Sequence, residues 1–169
     1  MLRIACLIFA LTVLAACSSH RWTPPTVGSP EDRVVEERVR APSAGSDNEL
    51  QVFGMRNPAV AALGREAEAA EQAGDRERAM QLLERALRID GRDAEILQHM
   101  AELHLADGRL DQAGSFAARS YDLGPKVGDI CRRSLNTLMV VRERTGQWGE
   151  AWGAYSELSK CRVAPPERF

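Results

Sequence analysis

Apolar and polar residues fall into three textures along the chain. Ile4 to Val13 is almost wholly apolar behind the single positive charge of Arg3, and this run is shorter than the ~20 residues a transmembrane helix needs. From Ser18 to about Asn57, large apolar side chains are sparse among Pro24, Pro25, Pro30, Pro42, glycines, serines and alternating charges. Beyond Asn57, alanines and leucines recur at helical spacing. The pattern predicts a signal segment over 1–16, a flexible tether over 17–57, an all-α domain over 58–161 and a short tail over 162–169.

The helical texture is punctuated regularly. Asn57-Pro58 supplies an N-cap residue and a first-turn proline, and alanine, leucine and glutamate then continue to about Gln72. Ala73-Gly74-Asp75 breaks the run, after which Ala79, Leu82, Leu83, Ala86 and Leu87 restore a 3.6-residue period up to Ile89. The same grammar returns 34 residues later, Gly74 through Ala79 being matched by Gly108 through Ala113, and Gly91 has its counterpart in Pro125. A third copy, Gly146 through Ala151, follows after 38 residues, which places an insertion of four residues near Lys126 to Arg133.

This pattern resembles the tetratricopeptide repeat over roughly residues 58–161. The family's small turn residue matches Gly74, Gly108 and Gly146, its small second-helix residue matches Ala79, Ala113 and Ala151, and its closing proline matches Pro125. First-helix packing positions are Leu63 in the first repeat, Leu97, Met100 and His104 in the second, and Leu135 and Leu138 in the third, where Tyr155 and Leu158 serve the second helix. The resemblance implies an all-α superhelix of about three stacked hairpins with one concave face. Trp148 and Trp152 are expected to cover the end of its core.

By the family's pattern, the first helix of each pair lines the concave surface. The candidates for binding a peptide or protein segment are Glu68, Glu71 and Gln72, then Glu95, Gln98, Glu102 and Leu105, and finally Arg133, Asn136, Val140 and Arg144. They set an acidic side against a more basic third repeat. Turns and the insertion at Lys126 to Arg133 offer an alternative surface. Antiparallel packing of the last hairpin is expected to bring Cys131 near Cys161, as candidates for a structural disulfide in an oxidising compartment.

Catalytic chemistry has little support. His99, Glu102 and His104 do not have the His-Glu-x-x-His spacing of zinc enzymes, and there is no glycine-rich phosphate loop or nucleophile–base set. The formal charge of −2 becomes −3 when Arg3 is removed with the signal, and no long basic patch invites nucleic acid. No cofactor or metal is expected, and the protein is read as a binding module rather than an enzyme.

Leu14-Ala15-Ala16-Cys17 resembles the lipobox of bacterial lipoproteins, in which the cysteine carries lipid and becomes the mature first residue. Ser18 and Ser19, with no aspartate after the cysteine, resemble signals that sort lipoproteins to the periplasmic face of the outer membrane. Lipid signal, tether and small repeat domain together resemble the outer-membrane lipoproteins that activate bifunctional class A peptidoglycan synthases, particularly the pseudomonad-type activators. That resemblance implies a penicillin-binding-protein partner and a noncatalytic role. The same layout also serves assembly factors and pilotin-like adaptors of pili and secretion systems. Intact-mass analysis of the membrane-extracted protein is expected to show lipid on Cys17, and the Cys17→Ala variant is expected to lack it.

Overall fold

The computed structural model describes residues 29–41 and 56–162. The signal over 1–16, Cys17 and tail residues 163–169 lie outside the described residues. Among the described residues, seven α-helices run in order: α1 Pro30–Val34, α2 Pro58–Gln72, α3 Arg76–Ile89, α4 Ala94–Ala106, α5 Leu110–Leu123, α6 Gly128–Arg144 and α7 Trp148–Glu157. A π-helical turn, Val35–Arg40, continues α1, and a 3₁₀ turn, Leu158–Cys161, follows α7.

Helices α2 to α7 form three antiparallel pairs, and neighbouring pairs pack against one another. Asn57, Asp75 and Asp93 cap α2, α3 and α4, each accepting a backbone N–H of the first turn through its side chain. Each pair turns on a glycine of positive φ: Gly74 at 80°, Gly108 at 71° and Gly146 at 76°. At all three the glycine N–H returns to the carbonyl three residues back and the next N–H to the carbonyl five back, as in Gly74 to Glu71 and Asp75 to Ala70. These paired bonds close the Schellman motif, which needs a left-handed residue that only glycine adopts without strain.

Small residues set the spacing between layers. Ala79, Ala113 and Ala151 are all buried, as are Leu63, Leu97, Met100, Leu135 and Leu138. His104 stacks on Phe116 with ring centroids 5.3 Å apart, filling an aromatic's place in the core. Gly124 ends α5 in close quarters, since a β-carbon there would stand 2.8 Å from the Ser120 carbonyl oxygen.

The end of the stack departs from expectation. Trp148, Trp152 and Tyr155 are 67%, 70% and 55% exposed, so none of the three covers the core. Ala151 and Ala154 face α6 instead, and their short side chains let α7 approach closely while its aromatics point outward. Cys131 and Cys161 form a disulfide with a Cα–Cα distance of 5.5 Å, tying α6 to the end of the 3₁₀ turn. Within the stretch expected as a tether, Pro30 to Arg40 is helical and packed on α4 and α6.

The disulfide closes a sequence separation of 30 residues, so its loss is expected to lower stability by roughly 3 to 4 kcal/mol through loop-closure entropy. Urea unfolding of the Cys131→Ser/Cys161→Ser double variant checks this as a lower midpoint.

Candidate functional site

The first helices of the pairs, α2, α4 and α6, present one shared surface, and the chain's own N-terminal segment lies on it. Ser29 and Asp32 form a capping box at the start of α1, with Asp32 N–H donating to Ser29 Oγ at 3.0 Å and Ser29 N–H to Asp32 Oδ2 at 3.1 Å. Pro30 occupies the first turn, where its missing N–H costs nothing. The π-helical turn then directs Val35 and Val39 inward together, where both are buried against Leu105, Ala106, Val140 and Val141.

Arg40 fixes the end of this segment. Its guanidinium donates to Glu102 at 2.7 Å, to Glu71 at 3.2 Å and to Glu36 at 2.8 Å. From the other side, Arg132 donates to the carbonyl oxygens of Val39 at 3.1 Å and Ala41 at 2.6 Å. Arg38 pairs with Glu143 at 2.8 Å, and Arg76 bridges Asp32 and Asp107. The segment is thereby held at its start, middle and end.

Glu102 is the centre of this network and is fully buried. Arg133 donates to both its oxygens, at 2.7 and 2.6 Å, and Gln98 adds a bond at 2.9 Å while also donating to Thr137 at 2.9 Å. Burial alone raises a carboxyl pKa, but Arg133, then Arg40 and Gln98, outweigh it and hold Glu102 at about 2. Glu71 is also held below the usual range: burial opposes ionisation, and the bond from His99 together with Arg40 overcomes it. His99 Nε2 lies 2.7 Å from Glu71. Burial lowers the His104 pKa, with Arg109 adding to the effect.

Beside the segment remains a cleft of about 860 Å³. Of the residues singled out in the sequence, Glu68, Glu71, Gln72, Glu95 and Arg133 line it. Leu105 and Val140 instead lie fully buried in the apolar cluster with the two valines of the segment, and Gln98 and Glu102 are enclosed in the polar network. Asn136 is half-buried and Arg144 exposed. Arg56, just before α2, pairs with Asp93 at 2.8 Å and with Glu95, so cations already neutralise part of the acidic side.

Sequence reasoning missed the segment 29–41, Arg40, Arg56, Arg132 and the Glu71–His99 contact. The first was findable: Ser29-Pro30-Glu31-Asp32 has the same cap-and-proline grammar as Asn57-Pro58. The partners of the arginines depend on folding and had no local signal. His99, Glu102 and His104 each serve a separate contact, with Glu71, Arg133 and Phe116 respectively.

This fold and surface define an all-α helical-repeat protein of the tetratricopeptide type, and residues 70–120 match the tetratricopeptide repeat family. Among solved structures, the chain is similar to the globular C-terminal domain of P. aeruginosa LpoP, with 26% identity and a TM-score of 0.55 over 62% of this chain and 99% of that one. No curated protein matches it in sequence.

The charge network has a definite pH signature. Because its folded pKa is depressed, ionised Glu102 contributes stability that is fully present above its ordinary value near 4.5 and is lost as pH falls through about 2. Thermal melts are expected to show that loss in the native protein and a flatter profile in Glu102→Gln. At neutral pH the same variant is expected to cost roughly 3 kcal/mol, since it leaves Arg133 without its buried counter-ion.

Proposed function

We propose that the protein is a noncatalytic, lipid-anchored envelope adaptor that binds and activates a bifunctional class A peptidoglycan synthase from the periplasmic face of the outer membrane. The similarity to the globular domain of LpoP across 99% of that domain carries this reading. It agrees with the resemblance of the whole layout to the pseudomonad-type activators. A surface mixing carboxylates, guanidiniums and a cleft is suited to a protein segment, and the repeat stack supplies a rigid platform for it.

Anchorage at Cys17 makes reach part of the mechanism. With residues 29–41 docked, the 11 residues 18–28 separate the lipidated residue from the folded body, and such a length spans at most ~40 Å when extended. Release of the docked segment lengthens the connection to the residues preceding Asn57, with a limit near ~130 Å. Activation requires tighter binding to the synthase's active form than to its inactive one; equal affinity leaves its population unchanged.

Purified mature protein, residues 17–169, is expected to bind a class A synthase and to raise its glycan-polymerisation or crosslinking rate several-fold when the two are assayed separately. Binding without acceleration makes the protein a passive adaptor. Failure to bind any class A synthase, with specific capture of pilus or secretion components, reverses the assignment in favour of an assembly factor.

A further inference from the structure

The contacts between segment 29–41 and the repeat stack are unequal in what their loss leaves behind. Glu102 keeps the two bonds from Arg133 and one from Gln98 if Arg40 departs. Glu71 keeps His99, Arg132 keeps Asp129 at 2.5 Å, and Arg76 keeps Asp107 at 2.9 Å. Nearly every charged group that grips the segment therefore has a second partner within the stack. Departure of the segment exposes Arg40 to water and leaves no buried carboxylate bare.

The apolar contact behaves differently. Val35 and Val39 cover Leu105, Ala106, Val140 and Val141, and an empty groove would return that cluster to water. Polar retention without the segment and apolar exposure without it are together the properties of a receptor that needs an occupant but not this particular one. The segment is also a weak helix by itself, with five α-helical residues and a six-residue π-helical turn. Its outward face is charged, and Glu36, Glu37 and Arg38 are exposed.

From this asymmetry we propose that the surface formed by α4 and α6 is a helix-acceptor groove, and that residues 29–41 are its exchangeable internal ligand. The partner it fits is a short amphipathic helix bearing two branched apolar residues four apart, followed at once by an arginine, as Val35, Val39 and Arg40 are arranged here. The apolar pair fills the cluster at Leu105 and Val140, and the arginine reaches Glu102 and Glu71. A partner helix of this chemistry displaces the internal segment, which the 14 residues 42–55 keep close enough to compete. The chemistry of the groove does not depend on the identity of any enzyme partner.

The test uses a fluorescent peptide of residues 29–41 as the probe, added to the full mature chain and to its Val35→Asp/Val39→Asp variant. The variant is expected to retain the far-ultraviolet helical signal of α2 to α7 and to bind the peptide saturably, at least tenfold tighter than the native chain. A peptide carrying Arg40→Ala is expected to bind at least tenfold more weakly. Equal affinity of the two proteins, or no saturable binding to the folded variant, overturns the proposal. If the variant's helical signal collapses, the comparison passes to a milder release variant, Arg40→Ala in the chain, which is expected to bind the native peptide more tightly than the native chain does; no gain in its affinity overturns the proposal.

Discussion

A carboxylate removed from water must be matched by cations, and in this fold the requirement falls on Glu102. It lies on α4, the first helix of the middle pair, and gathers Arg133 from α6 and Arg40 from the N-terminal segment. Elements far apart in sequence are thereby brought to one point. A buried ion pair of this kind contributes less to net stability than to geometry: its attraction is offset by desolvation, but loss of either partner is costly. The network consequently fixes how the segment lies across the stack, while valines and alanines supply most of the apolar burial there.

The repeat stack itself rests on steric permission. Glycines at 74, 108 and 146 turn each pair back on itself, and Ala79, Ala113 and Ala151 let the second helices approach. Leucines then fill the space between layers, and the disulfide ties the final pair where only one neighbouring pair supports it. Aromatic side chains on α7 remain outside this scheme because its inward positions are occupied by alanine. The terminal pair is held by close packing and a covalent tie, not by bulky covering residues.

Much of this was legible in the chain. Recurring glycine–alanine spacing revealed the hairpins, and the positions expected to pack at Leu97, Met100, His104, Leu135 and Leu138 are buried. Periodicity did not reveal which way Trp148 and Trp152 face, since a capping aromatic and an outward aromatic have the same residue type. The candidate surface was legible only in part. Glu102 and Val140 lie on the expected helices, but the segment that reaches them was hidden in a stretch whose average composition is that of a tether. Composition averages over a window, whereas Ser29-Pro30-Glu31-Asp32 and the two valines act at single positions.

The proposed exchange depends on this self-contact. A repeat domain with a permanently open groove and one that carries its own occupant respond differently to a partner, because the second adds a competition that sets when binding is allowed. The measurement that tests this account most directly is amide hydrogen exchange over Val35 to Arg40 in the full-length protein. Docking predicts slowed exchange that is lost in Glu102→Gln along with the contact to Arg40, by a larger factor than any change at the turn at Gly108. Exchange at the rate of an unstructured peptide in the native protein would contradict it.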